Sequence, residues 1–317
     1  MKKVQIPGII EINNAATRIK PYLHFTPVLK SSSIDEIAGC NLFFKCENFQ
    51  KAGVFKARGA INAVFSLDEK ELANGVATHS SGNHAAALSF AASLRNKKAY
   101  IVMPSNANKV KIKAVQNYGG IITFCEPTLK SREETLAKII AKTNAIEIHP
   151  YNDVRVIAGQ ATACKELLGQ IEGLQIIMAP VGGGGLLSGT ALSSHYYGTD
   201  INVIAGEPTG ADDAFRSFHS KTFHPSVSPN TIADGLLTSL GSITFEIILK
   251  YVHTILTVND SEIVAAMRLI WERMKIIVEP SSAVPLAAVL KNKEIFAGKK
   301  VGIIISGGNV NLDSLPF

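Results

Sequence analysis

No uninterrupted apolar run in these 317 residues approaches the ~18 positions that a membrane-spanning helix needs, so a membrane partner is not expected. The N-terminal stretch MKKVQIPGIIEINNAATRIK begins with positive charge but has no continuous apolar core, so a secretory signal is not expected either. Blocks of lysine or arginine are missing, and so is any basic stripe interleaved with aromatics. Although 32 Lys and Arg outnumber 26 Asp and Glu, nucleic acid is therefore not an expected partner. The mild excess would instead attract small anions. Cysteine is scarce, and Cys40, Cys46, Cys125 and Cys164 show no CxxC spacing. Free thiols in a reducing compartment are expected rather than disulfides or a zinc site, which implies a cytoplasmic protein. Charged residues make up only 18% against 46% hydrophobic, the composition of a globular chain with a buried core and not of a disordered one. Repeats, low-complexity tracts and long linkers are absent as well.

What is present is an alternation. NLFFKCEN, VATHS, AYIVMP, IITFC, QIIMAPVG, NVIAGEP and VGIIISGG are short, apolar and flanked by turn residues, as strands buried on both faces of a parallel sheet would be. Amphipathic runs such as AAALSFAASL, KVKIKAVQNYG and SEIVAAMRLIWERMK lie between them. The order implies an α/β protein with right-handed crossovers. In such sheets ligands bind where strands run out into loops and helix N-termini. HSSGNHA at 79–85, VGGGGL at 181–186 and ISGGNV at 305–310 fit that description.

PVGGGGLLSGT carries four consecutive glycines between a strand and a helix, each costing backbone entropy. A tight turn needs one or two, so the run points to free N–H groups gathered on an anion at a helix start, and phosphate is the natural guest. The loop lacks the lysine of a Walker A motif, and Ser188 stands where the third glycine of GxGxxG would be. The loop HSSGNHA either caps its helix or presents N–H groups to a carboxylate, with Ser80, Ser81 and Asn83 adding polar side chains. Lys56, in NFQKAGVFKARGA, lies outside any charged run. It is either a solvated cation or an amine that condenses with an aldehyde, and a phosphate-bearing aldehyde would join it to the glycine loop.

Together KCENFQKAGVFKARGA, HSSGNHA, HPYNDVRVIAGQ, PVGGGGL, TIADGL and ISGGNV resemble the fold-type II pyridoxal-phosphate enzymes, nearest to the serine racemase and serine/threonine dehydratase group. The likeness runs from about residue 10 onward. It implies a tryptophan synthase β-like fold of two three-layer α/β/α domains with twisted, mostly parallel sheets. Residues 1–68 and 150–317 would form a large cofactor-binding domain, and 69–149 a small mobile one. It also implies that Lys56 is joined to the cofactor's aldehyde, Phe55 packs near its ring and Asn83 bonds its phenolic oxygen. Gly182, Gly183, Gly184, Gly185 and the Leu186 amide would hold the phosphate, Glu279 would lie at the ring's edge, and Ser306 would face its nitrogen.

By the same resemblance Ser81 separates racemases from dehydratases, which commonly have alanine there; Lys56 and Ser81 would exchange the α-proton from opposite faces. Glu207, Asp213 and the Ala211 carbonyl would bind Mg²⁺, Ca²⁺ or Mn²⁺, where the residues alone read as a solvated acidic turn. Arg132 either approaches the substrate carboxylate or sits on a first helical turn capped by Ser131 and Glu134. His84 either lines the substrate pocket or is capped by its own loop. Cys46 and Trp271 read as core. Val54 departs from the serine or alanine usual two residues before the lysine, which bears on the substrate but not on the cofactor. The expected activity is racemisation of serine in competition with elimination from serine or threonine, in a homodimer without the isoleucine-sensing domain of biosynthetic threonine dehydratases. Alternatives are a dehydratase of serine, threonine or threo-3-hydroxyaspartate with little racemisation, a nucleotide-binding oxidoreductase, and a non-catalytic sensor.

Overall fold

The protein is described by a computed structural model covering residues 5–80, 82–107 and 109–317. Ten strands occur among those residues: β1 Val28–Leu29, β2 Asn41–Cys46, β3 Val76–His79, β4 Ala99–Pro104, β5 Ile121–Cys125, β6 Ile146–Glu147, β7 Ile176–Pro180, β8 Asn202–Pro208, β9 Thr254–Val258 and β10 Lys300–Ile305. Six form one sheet in the order β1-β2-β10-β7-β8-β9 and four form a second, β5-β4-β3-β6. Every neighbouring pair is parallel except β1 with β2. Parallel neighbours need crossover connections, which supply the helical layers.

One face of the larger sheet (Leu42, Phe44, Met178, Ile204, Val301, Ile303) packs on helices Asp260–Met274 and Pro280–Lys291. The other face (Ile177, Ala179, Val203, Ile304) packs on Val154–Gln170 and Gly185–Tyr197. The smaller sheet places Val76, Ile101 and Met103 against the alanine-rich helix Asn83–Ser93, and Ala77 and Val102 against Leu136 of helix Leu129–Thr143. Each unit is therefore three layers thick.

All seven strands expected from the sequence are present. One correction concerns IITFC: β5 is an edge strand paired only with β4, so its residues are exposed or half-exposed rather than buried on both faces. β1 and β6 are two residues long, too short to show a period, and β9 mixes threonine with apolar residues. The four cysteines are free, with Cys46 fully buried; Trp271 is half-buried, its Nε1 donating to the Val278 carbonyl.

Helix Lys56–Phe65 has Ala57, Gly59, Ala60, Ile61, Ala63 and Val64 buried, and so is a helix surrounded by protein. Arg58 lies within it at 0% exposure. Its guanidinium donates to both carboxylate oxygens of Glu47 at 2.6 and 2.8 Å, and to both of Glu166 at 2.8 Å. Lys45, also fully buried, donates to Glu166 at 2.7 Å, to Gln170 and to the Thr26 carbonyl. Burial opposes charge on Glu47, yet Arg58 holds its carboxyl below the ordinary value. The cluster ties β2 and its exit to helices Lys56–Phe65 and Val154–Gln170. Breaking a buried pair of this kind costs about 3–5 kcal/mol because the remaining charge is stranded. Arg58→Met should lower unfolding stability by that order in urea titration, and Arg58→Lys should not restore it, because an ammonium cannot bridge two carboxylates bidentately.

Candidate active site

The candidate residues follow the ends of five strands. β2 leads through two short turns to Lys56, β3 to Ser80, β7 to the four glycines, β8 to Glu207 and β10 to Ser306. All are carboxyl ends, where a parallel sheet gathers loops and helix N-termini.

Lys56 is the first residue of its helix and is half-buried. Its Nζ donates to the Pro150 carbonyl at 2.9 Å and lies 5.2 Å from the centre of the Phe55 ring. Burial lowers its pKa to about 8, with the Glu279 carboxylate pulling the other way. A substantial fraction of this amine is consequently neutral near pH 8.

Gly184 caps helix Gly185–Tyr197 with φ +85°, a left-handed conformation that glycine adopts without strain, and no side chain caps the helix. A Cβ on Gly183 would stand 2.3 Å from the Tyr151 ring, and one on Gly182 2.7 Å from Leu236 Cα, so the run has no room for side chains. Thr244 Oγ1 donates to the Gly183 carbonyl at 2.9 Å. The N–H groups of Gly182 to Leu186 find no acceptor among the described residues. Five successive unpaired amides at a buried helix start fit a phosphate group.

Asn83 Nδ2 donates to Glu279 Oε1 and Oε2 at 3.0 and 3.1 Å, while its Oδ1 accepts from Asn309 at 3.0 Å. The amide orientation is thus fixed from both sides. Glu279 is 2% exposed; burial lifts its pKa to about 7 against the pull of Lys111. Lys111 itself pairs with Asp234 of the TIADGL segment, joining the smaller unit to the larger. Ser306 is buried, its Oγ 2.9 Å from Ser282 Oγ, and its carbonyl accepts from the Phe55 N–H at 2.9 Å. Val54 is fully buried and bridges to Gly307, where a Cβ would meet its methyl at 2.9 Å. Val54 thus lies against the segment after β10.

Ser80 Oγ accepts from the Gly82 N–H at 3.3 Å, whereas Ser81 lies outside the described residues. His84 is 2% exposed, with Nε2 on the Ile148 carbonyl at 3.2 Å and Nδ1 without a partner; burial holds it well below its ordinary pKa. It is capped by Ile148, not by its own loop. Arg132 requires a correction: Thr128, not Ser131, caps helix Leu129–Thr143, because Thr128 Oγ1 accepts from the Ser131 N–H at 3.1 Å. Arg132 falls half-buried one position past that contact, its Nε directed to the Thr128 carbonyl. Burial, with the Arg132 charge, brings His79 down to about 4.

Sequence reasoning missed His149. Its Nδ1 accepts from the Asn152 and Tyr151 N–H groups at 2.9 and 3.3 Å, so the proton resides on Nε2. Burial, His79 and Lys56 hold it near 4. Its ring meets those of His79 and Tyr151 edge-on. The quoted HPYNDV segment was the available signal, since a histidine just beyond a strand next to proline sits where a turn exposes side chains.

At the end of β8, Glu207 accepts from the Ala214 and Phe215 N–H groups at 2.9 and 2.7 Å, and burial raises it well above the ordinary carboxyl range. Asp213 is 1% exposed, and neither carboxylate oxygen has a partner at hydrogen-bond distance; burial brings it to about 6. Groups of three or more His, Cys, Asp or Glu placed to hold a metal ion are absent among the described residues. Two buried carboxylates, one of them unpartnered, remain a donor set suited to a hard cation that keeps its waters.

Residues 19–307 match the family described as pyridoxal-phosphate dependent enzyme. The chain is 53% identical over 312 residues to the beta-hydroxyaspartate dehydratase of Paracoccus denitrificans (strain Pd 1222), covering 98% of this chain and 99% of that protein. It is also 53% identical over 309 residues to the serine racemase of Dictyostelium discoideum, covering 96% and 95%. The crystal structure of serine racemase from Dictyostelium discoideum superposes with a TM-score of 0.92 at 52% identity, covering 96% of this chain and 99% of that one.

The lowered pKa can be checked directly. Competitive acylation of the cofactor-free protein should label Lys56 with a midpoint near pH 8, while exposed lysines titrate near their ordinary value of about 10.4.

Proposed function

The chain belongs to the pyridoxal-phosphate dependent enzymes, and on that premise we propose that it is a serine racemase. It would also remove the β-hydroxyl of L-serine and L-threonine, giving a 2-oxo acid and ammonia. The observation that carries this reading is a half-buried lysine with a lowered pKa in the same cleft as five unpaired glycine-loop amides. Bound there, pyridoxal phosphate supplies an aldehyde for the amine and an electron-withdrawing ring that acidifies the α-carbon of an amino acid.

The rest is the work of this chain's residues. Gly182, Gly183, Gly184, Gly185 and Leu186 would hold the phosphate by their amides, and Phe55 would pack near the ring. Asn83, steadied from behind by Glu279, would turn its side-chain amide to the phenolic oxygen. Ser306 would present a hydroxyl to the ring nitrogen, which would make the ring a weaker electron sink than a carboxylate partner would. Lys56 Nζ, as the neutral amine, takes the α-proton from one face, and Ser81 returns one from the other. A serine hydroxyl is a poor acid and base, so loss of the β-hydroxyl competes. Ser80 and Ser81, with the Asn83 backbone N–H at the start of helix Asn83–Ser93, would receive the substrate carboxylate. Arg132 approaches it as residues 69–149 close, and His84 backs the pocket. Closure of that unit would shed water from the cleft. Glu207, Asp213 and the Ala211 carbonyl hold Mg²⁺, with Ca²⁺ and Mn²⁺ as substitutes.

Free cysteines support a cytoplasmic setting, and no helix among the described residues is long and apolar enough to cross a membrane. A homodimer is supported by Phe25, Phe49 and Ile277, exposed on segments joined through His24 and Asn48. A second reading is a dehydratase of threonine, serine or threo-3-hydroxyaspartate with little racemisation. The dehydratase kinship favours it.

The test is to supply L-serine, D-serine, L-threonine and threo-3-hydroxyaspartate separately and to quantify enantiomer and 2-oxo acid from each. Lys56→Ala should abolish both outcomes and the yellow chromophore. Ser81→Ala should lose D-serine formation while retaining elimination from the L-isomer; equal loss of both overturns the two-face assignment. Mg²⁺ should raise the melting temperature of the parent and leave that of Asp213→Asn unchanged, as expected of a ligand that binds only the folded state.

A further inference from the structure

Ser282, which neither the motifs nor the mechanism above used, is 0% exposed in the first turn of helix Pro280–Lys291. Its Oγ lies 2.9 Å from Ser306 Oγ, 2.7 Å from the Gly307 carbonyl and 2.7 Å from the Gly307 nitrogen. The Gly307 N–H can only donate, so it occupies one acceptor position of Ser282. One proton remains on the Ser282 hydroxyl, with two acceptors in reach. When it goes to the Gly307 carbonyl, Ser306 is free to donate to Ser282 and to turn a lone pair toward the cleft. When it goes to Ser306, that hydroxyl must direct its own proton elsewhere, and chaining strengthens it as a donor. The Gly307 carbonyl is not orphaned by the exchange, because it also accepts from the Glu279 N–H at 3.0 Å.

We propose that Ser282 is a positioning residue that sets whether Ser306 donates to or accepts from the ring nitrogen of bound pyridoxal phosphate. The pair is a reversible two-hydroxyl relay, able to serve that nitrogen in either protonation state. This rests on the reading that Ser306 faces the nitrogen.

The experiment uses the holoenzyme loaded with pyridoxal phosphate carrying ¹⁵N in the ring. Its ¹⁵N resonance and the cofactor dissociation constant are measured for the parent, Ser306→Ala, Ser282→Ala, Ser282→Thr and the double alanine variant. Loss of one hydrogen bond worth about 1 kcal/mol weakens binding roughly fivefold. Ser282→Ala should shift the resonance in the same direction as Ser306→Ala and weaken cofactor binding by that factor, Ser282→Thr should restore both, and the double variant should bind no more weakly than Ser306→Ala alone. Multiplying losses in the double variant, or an unmoved resonance in Ser282→Ala, would show that Ser282 acts only on the Gly307 backbone and overturn the relay. If Ser306→Ala itself leaves the resonance unmoved, the placement of Ser306 fails and the relay falls with it. Should Ser282→Ala not fold, Ser282→Cys keeps the volume with a far weaker donor and is read by the same two measurements.

Discussion

The buried guanidinium of Arg58 is the constraint on which the rest depends. It lies two residues beyond Lys56 on the same helix and is gripped by Glu47 before the helix and by Glu166 more than a hundred residues later. A charge removed from water is tolerated only where its donors are all satisfied, so this cluster admits essentially one arrangement of β2, the lysine helix and helix Val154–Gln170. Apolar packing alone would let an alanine- and glycine-rich helix slide along its neighbours. Five charge-assisted bonds to Glu47 and Glu166, counting that from Lys45, fix its register, and with it the origin of the Lys56 side chain.

That fixed origin matters because the opposite wall of the cleft is held by separate means. The glycine loop is set by the Tyr151 ring and the Thr244 hydroxyl, and Asn83 by Glu279 and Asn309. Titratable groups around the amine are uniformly pushed toward neutrality: His79, His84 and His149 downward and Glu279 upward, each chiefly by burial. A cleft with few fixed charges leaves the electrostatics of a bound anion to the backbone amides and to Lys56.

What could be read from the sequence was whatever local pattern encodes. Seven apolar strands, the glycine run and the polar loop after VAT each declare themselves within a dozen residues. The Arg58 cluster does not, because Glu166 lies more than a hundred residues away and Lys45 and Glu47 look like ordinary surface charges. Ser282 was equally hidden, its role depending on a strand that begins eighteen residues later. The capping error at Arg132 came from reading the Ser131–Glu134 spacing as a capping box, whereas the Thr128 hydroxyl, three residues earlier, is the one that accepts from the Ser131 N–H. The misjudged edge strand shows that an apolar run reports composition and not how many neighbours a strand acquires.

The strand order carries a consequence for how the chain is made. β10, the strand latest in the chain, lies between β2 and β7, and it bears Ser306 at its end. A nascent polypeptide emerging in order would expose the facing edges of β2 and β7 until residues 300–305 had been synthesised. Such unpaired edges are adhesive, and pairings this distant close slowly. Vectorial synthesis therefore cannot complete this sheet early, and shielding of those two edges on the ribosome becomes part of the cost of producing it.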